Sequence, residues 1–440
     1  METFDVVMNA IRQYAMQVYP DELLYQYQVL EKSCLESNEK EKQQAVQRIR
    51  KIKNELKMAK PKVEWETFFA HLEDKVEHGD NISIADIITT EYAPPETAHH
   101  LLSLARAIAK RRNELNGENT RLCKSIYGFT TCLNPCAYGS YGSCLFAARR
   151  DNEPSIAEKM FGNITTVDEY VNEIRAAKTE QHANNVKLIT TSHKVDSNVL
   201  EVVTSAIKKT RRDENIKDIP ICVSLGSVDE EQILKLKEAG ATRVNHNLET
   251  SYFNALFLAS IASNKDNGKL QGQKVDSVGE YKKRLTTVVT ALKNEMTICS
   301  GGMFFYGDDE IPEDRILLYL TLNELDKIWK TNSSPFNVFV PLKDIIDESV
   351  GWFNAFGLSC VDRSNSIDGF AIFKTLVTFA LIVPPRHKIM LNAGSKWFGE
   401  EWFSLAMELG GGAGLASYLQ QVNSHRTVEI AQLIDQNKLL

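Results

Sequence analysis

The pattern of apolar and polar positions divides the chain in two. Residues 22 to 57, ELLYQYQVLEKSC through EKEKQQAVQRIRKIKNELKMA, are rich in Lys, Glu, Gln and Leu and contain neither Pro nor Gly, as long amphipathic helices require. Pro61 ends that stretch. WETFFAHLEDKVEHGD (65–80) and PPETAHHLLSLARAIAKRRNEL (94–115) read as further helices, the second with its prolines at the start, where a missing N–H costs little. Residues 1–115 are therefore expected to form a helical extension, and they contain no recognisable chemistry.

From there on, short β-branched runs alternate with amphipathic helices. LCKSIYGF (122–129), VKLITT (186–191), IPICVSL (219–225), TRVNHN (242–247), MTICSGG (296–302), FNVFVPL (336–342) and HKIMLNA (387–393) are strand candidates. SNVLEVVTSAIKKTRR reads as a helix, as does SVDEEQILKLKEAG, where Ser227 and Glu230 are expected to form a capping box and Gly240 the stop. Such alternation implies an α/β fold with a parallel sheet, either doubly wound or curled into a partial or complete barrel. Ligands then sit at the C-terminal ends of the strands, where NHNLETS, CSGG and VPLK fall. No internal repeat or low-complexity segment is evident.

Charge and composition narrow the function. A formal charge of -7, with basic stretches balanced by nearby acids, supplies no electrostatic footprint for nucleic acid. No apolar run approaches the roughly eighteen residues a membrane helix needs, and METFDVVMNAIRQYA lacks the pattern of a secretory signal, so a cytoplasmic protein is expected. In a reducing compartment, eight cysteines suggest metal or redox chemistry where they cluster.

They cluster in TTCLNPCAYGSYGSCLFAARRDN (130–152). Cys132, Cys136 and Cys144 share one loop with Gly139 and Gly142, and three thiolates from a flexible loop can hold a metal. A structural zinc would want a fourth ligand nearby, whereas a four-iron cluster on three cysteines leaves one iron open. The alternative is a Gly/Ser turn with unpaired thiols. In NHNLETS, strand alternation would turn Asn245, Asn247 and Glu249 to one side, offering two amides and a carboxylate to a polar ligand; a capped loop would use the same residues on local backbone. His246 would face the other way as a structural residue. Cys222 and Cys299, each in an apolar strand, read individually as packing. Gly301 and Gly302 would allow close approach of a ligand, and Gly410 to Gly412 read as a turn or helix start.

Taken in order, the cysteine loop ending in RRDN, ICVSLG (221–226), NHNLETS, EYKKRL (280–285), ICSGG and MLNAG (390–394) resemble the radical S-adenosylmethionine enzymes, most closely the biotin synthase branch, over residues 119 to 425. The resemblance implies a TIM-type (β/α) barrel over 116–440, its last part from about 335 shared with biotin and thiamin synthesis enzymes. It implies a [4Fe-4S] cluster on Cys132, Cys136 and Cys144. At that cluster S-adenosylmethionine would be reductively cleaved to a 5′-deoxyadenosyl radical that takes hydrogen from a small polar substrate, with sulfur insertion as a further step of this transferase family. By position, Tyr138 resembles the aromatic beside adenine, Asn247 and Glu249 the ribose ligands, and Arg284 the partner of the cofactor's carboxylate. Asn245, Asn247 and Asn337 fall where the family holds its substrate, and Cys222 and Cys299 match two ligands of an auxiliary iron–sulfur cluster. The implied partners are an electron donor such as flavodoxin or ferredoxin, and a second copy in a homodimer.

The chain departs from the family pattern in four places, one of them Phe305, where a further glycine is expected in GGMFFYGDD (301–309). The third loop cysteine should follow Cys136 after two residues, where Gly139 stands; either Cys144 swings back or a ligand is lost. The third auxiliary thiol falls near Ile189 or Thr190, and the auxiliary arginine position is Met390. A barrel that binds a ligand or partner without turnover is the competing reading, and a zinc-stabilised loop a third.

Overall fold

The computed structural model describes residues 2–59, 61–116, 121–129, 163–190, 194–264, 277–304, 310–329, 333–338, 369–383, 385, 388–391 and 400–415. The N-terminal part folds as α1 (Glu2–Val18), α2 (Asp21–Leu35), α3 (Glu39–Met58), α4 (Trp65–His78), α5 (Ile84–Glu91) and α6 (Ala98–Asn116). The long stretch from 22 to 57 breaks once. Ser37 takes a left-handed φ of 57°, and Asn38 caps α3 by accepting from the Glu41 N–H at 3.3 Å.

Strand and helix then alternate: β1 (Arg121–Tyr127), α7 (Val167–Thr179), β2 (Asn185–Ile189), α8 (Ser197–Arg212), β3 (Ile221–Ser224), α9 (Glu230–Ala239) and β4 (Arg243–Asn245). They continue through α10 (Tyr252–Asn264), α11 (Ser277–Lys293), β5 (Thr297–Cys299), β6 (Gly302–Phe304), α12 (Pro312–Trp329), β7 (Ser333–Val338), α13 (Gly369–Ile382), β8 (Lys388–Leu391), α14 (Glu400–Gly410) and β9 (Gly411–Leu415). Every strand pairing is parallel, in the order β5-β4-β3-β2-β1-β9-β8-β7-β6. A further pairing of β5 with β7, at Cys299 and Ser333, closes the sheet into a barrel. β5 and β6 are one strand interrupted at Ser300 and Gly301.

Two local expectations are corrected. The box that starts α9 is Asp229 and Gln232, not Ser227 and Glu230: the Gln232 N–H donates to Asp229 Oδ1 at 2.9 Å and the Asp229 N–H to Gln232 Oε1 at 3.0 Å. Ser227 is held instead in a bridge to Lys194. Gly240 does stop the helix, at φ 102°. The glycine run is neither turn nor helix start: Gly410 ends α14, and Gly411 and Gly412 open β9, which closes the ring between β1 and β8.

The N-terminal helices pack on the barrel's outer wall. α13 is apolar all round and buried nearly throughout, since α5 and α6 cover it on one side and α12 and α14 on others. α1 lies along α12, and α2 and α3 lie on α10. Beneath them Lys53, on α3, pairs with Asp314 at 2.9 Å, both side chains 1% exposed. Tyr19 donates to the same Asp314 carboxylate at 2.8 Å, and Lys53 also donates to Asn254 Oδ1 at 2.7 Å.

Candidate active site in the barrel

At the C-terminal end of β4 the polar residues named from sequence come together. The Asn245 amide donates to the Cys299 carbonyl at 2.6 Å and lies 3.5 Å from Asn247 Oδ1. Arg284, reaching in from α11, donates to the Asn247 carbonyl at 2.7 Å and lies 3.5 Å from Glu249 Oε1. Strand alternation does not orient Glu249, since β4 ends at Asn245. Glu249 has a φ of 70° instead, a region a glutamate rarely occupies. It is held there by a bridge to Gly302 and by its own N–H donating to the Gly301 carbonyl at 3.1 Å. This is the task of the CSGG glycines: a Cβ at Gly302 would meet the Glu249 carbonyl oxygen at 2.6 Å and the side chain of Leu318. Glu249 Oε2 is buried with no hydrogen-bond partner, an acceptor facing the site. Burial pushes its carboxyl above the ordinary glutamate range, against the opposing pull of Arg284 and of the Asn247 amide. His246 is buried in the wall.

Deeper in the barrel, Cys222 and Cys299 do not stand alone. They form one buried cluster with Cys123 and Met390. Met390 lies beside the two thiols, and a further thiol in the same cluster, Cys123, comes from β1. The sequence signal for it was the alternation in LCKSIY, which sets Cys123, Ser125 and Tyr127 on one side of β1. On β2 it is Lys187 that takes the place beside the thiols, with Cys123, Tyr127, Cys299 and Cys222 around it. The Cys222 thiol is pushed up, by burial first and by Cys299 next, so it is a neutral thiol at physiological pH.

Asn337 lies on β7, its backbone opposite Met303 of β6. Cys132, Cys136, Tyr138 and Cys144 lie outside the described residues.

No protein-family model matches the chain. Curated relatives do. Biotin synthase from Clostridium tetani is 27% identical over 326 residues, which is 73% of this chain and 83% of that one. Biotin synthase from Persephonella marina is 26% identical, covering 63% and 71%. That from Aquifex aeolicus is 32% identical over a shorter span, 41% and 47%. The chain is similar to the biotin synthases. Its fold agrees with solved structures. The [FeFe]-hydrogenase maturase HydG from Carboxydothermus hydrogenoformans superposes with a TM-score of 0.58 at 15% identity, covering 84% of this chain and 75% of that one. Methylornithine synthase (PylB) superposes at 0.52 and 18%, covering 78% and 85%.

The biotin synthase-like chain fits the two cofactors of that fold unequally. An unpaired buried carboxylate oxygen, two asparagines and a half-buried arginine at the mouth suit the hydroxyls and charged end of S-adenosylmethionine. An auxiliary cluster suits the barrel floor less well: among the described residues no three His, Cys, Asp or Glu side chains are spaced to hold a metal ion, and the cation of Lys187 stands among the thiols.

Proposed function

We propose that this protein is a radical S-adenosylmethionine enzyme that abstracts hydrogen from a small polar substrate. The observation that carries the reading is the convergence of Asn245, Asn247, Glu249 and Arg284 at one end of a closed parallel barrel, with Glu249 Oε2 left as an unpaired buried acceptor. Cys132, Cys136 and Cys144 would hold a [4Fe-4S] cluster, which would supply the one-electron chemistry for reductive cleavage of S-adenosylmethionine. The chain's own residues bind and orient. Glu249 and Asn247 accept from and donate to the ribose diol, Arg284 meets the cofactor's carboxylate, Tyr138 stacks on the adenine, and Asn245 and Asn337 hold the substrate's polar group. Arg284 already braces the Asn247 carbonyl, so it also fixes the loop that carries the ribose ligands.

We read residues 1–115 as the helical extension and 116–440 as the barrel, with a flavodoxin or ferredoxin as electron donor, a homodimer as the assembly and the cytoplasm as the compartment. Among the described residues no helix is long and apolar enough to cross a membrane. Sulfur insertion is left out of the proposal, because Met390 stands at the position of the cluster-binding arginine and Lys187 lies among the floor thiols.

The test is anaerobic purification and reconstitution, with iron and sulfide measured on the parent and on Cys144→Ala, followed by an assay for 5′-deoxyadenosine with reductant. About four irons in the parent, lost in the variant, and cofactor cleavage above background are expected. A parent that takes up no iron and cleaves no cofactor would instead establish the second reading, a barrel that binds without turnover, which the displaced third thiol favours.

A further inference from the structure

The loop that leaves β4 runs from His246 to Ser251 and carries Glu249, and α10 starts directly after it. The left-handed φ of Glu249 costs free energy, and such a conformation persists only where the surroundings hold the chain on both sides. From within, the holder is the backbone of Gly301 and Gly302. From without, it is the helical extension. Residues 250–254 are at most 5% exposed, so their polar side chains need partners inside the protein. Ser251 caps α10 by accepting from the Asn254 N–H at 3.4 Å, and its hydroxyl lies 3.2 Å from that of Tyr19. Tyr19 has one hydrogen and donates it to Asp314 at 2.8 Å, so Ser251 donates to Tyr19. The Tyr252 hydroxyl donates to Glu31 at 2.6 Å, a carboxylate that Arg12 also holds at 3.0 Å. Lys53 donates to Asn254 Oδ1 at 2.7 Å, and the Asn254 amide donates back to Thr250 at 2.9 Å. The turn after α1, α2 and α3 thus each supply one polar partner to residues 251–254. Between these bonds the Phe253 ring packs against Tyr19 and Tyr27.

Tyr19 and Lys53 meet again on Asp314, in the first turn of α12, whose carboxylate also accepts from the Ile311 N–H at 3.1 Å. α12 carries Leu318, which packs at Gly302 beside the Glu249 carbonyl. The same two side chains therefore tie the start of α10 to the start of α12, and with them the outer and inner holders of Glu249. Apolar packing of α2 and α3 on α10 would tolerate a small slide, whereas hydrogen bonds weaken steeply once their lengths and angles change. We propose that the helical extension positions the cofactor site: Tyr19, Glu31 and Lys53 lock the start of α10 and through it hold Glu249 where S-adenosylmethionine meets it. All three are positioning residues and lie outside the site. That the ligand is S-adenosylmethionine rests on the proposed function; that the extension holds residues 246–251 does not, and is measured without ligand.

Two measurements on the full-length protein test this: amide hydrogen exchange by mass spectrometry without cofactor, and equilibrium dialysis of S-adenosylmethionine against the anaerobically reconstituted protein. Tyr19→Phe and Glu31→Leu each delete one of the bonds, while Glu31→Gln keeps an acceptor for Tyr252. Tyr92→Phe is the control, because it loosens the extension at Glu313, away from residues 251–254. Each variant is measured well below its own unfolding temperature. In Tyr19→Phe and Glu31→Leu, exchange over residues 246–251 should be about fivefold faster and S-adenosylmethionine binding about fivefold weaker. Glu31→Gln and Tyr92→Phe should behave like the parent. In a Glu249→Gln background, Tyr19→Phe should weaken binding by no more than about twofold, because the residue it acts through is already altered. Parent-like binding in both Tyr19→Phe and Glu31→Leu would overturn the proposal, whatever the exchange. So would an equal loss in Tyr92→Phe, or a loss from Tyr19→Phe that persists in full beside Glu249→Gln, since either would make the extension a structural support only. Exchange accelerated as expected in a protein whose parent binds no S-adenosylmethionine would refute the cofactor reading and leave the hold on residues 246–251 standing.

Discussion

Glu249 does two things at once: its backbone bends in a left-handed conformation to leave β4, and its side chain offers one paired and one unpaired oxygen to the barrel mouth. Its raised pKa means that the folded protein holds a proton where the unfolded chain has released it. Stability of the ligand-free protein should therefore decline as pH rises from the ordinary glutamate range through the folded value, while cofactor binding, which needs the ionised acceptor, should strengthen over the same window. Glu249→Gln should flatten the stability profile and weaken S-adenosylmethionine binding by roughly tenfold, the worth of a hydrogen bond to a charged group. Equilibrium dialysis across pH checks both directions of the second effect. A second carboxyl shows the same sign with a firmer window: burial pushes Glu313, which accepts from Tyr92 at 2.9 Å, up to about 7. Its contribution to stability is greatest below the unfolded value near 4.5 and is lost as pH rises to about 7, so Glu313→Gln should make the melting temperature less pH-dependent between those values.

Among the elements, the seam at β5 and β6 has the least freedom. Gly302→Ala would press a methyl group against the Glu249 carbonyl and Leu318, so either the β4 exit loop or α12 must shift. We expect a loss of about 2 kcal/mol, as overpacking typically costs, together with weaker cofactor binding, because the same movement displaces Glu249. Urea unfolding and dialysis on one variant separate the two effects. Helix starts and stops were readable to within a couple of residues: Gly240 stops α9 where expected, but the cap fell on Asp229 because Ser227 is taken up by its bridge to Lys194. The glycine run at 410–412 gave no strand signal, since glycine carries no side chain to alternate, and β9 exists through its neighbours' backbones.

At the scale of the whole molecule, the extension and the barrel are joined by apolar faces and by ion pairs with little exposure, Lys53 with Asp314 and Arg315 with Glu91. Lys53→Met or Asp314→Asn should each cost about 3 kcal/mol, because a buried charge or its partner is stranded. The double variant Lys53→Met with Asp314→Leu should recover part of that loss, which differential scanning calorimetry would show. Removal of residues 1–115 would bare the all-round apolar helix α13, and the truncated chain should aggregate, as size-exclusion chromatography would reveal.

By itself the sequence determined the strand and helix alternation, the parallel class, the helical N-terminal part and the motif order that leads to the radical S-adenosylmethionine barrel. These are legible because periodicity and short motifs are local properties. It also placed Asn245, Asn247, Glu249 and Arg284 in one site, through motifs and not through the strand alternation that stops short of Glu249. Only the tertiary structure decided that Cys123 joins Cys222 and Cys299, that Lys187 and Arg243 flank Cys222 in the sheet register, and that β9 closes the ring. Those residues lie far apart in the chain and meet only across a closed barrel, a contact set by which strands become opposite walls, and no stretch of the sequence taken alone records it.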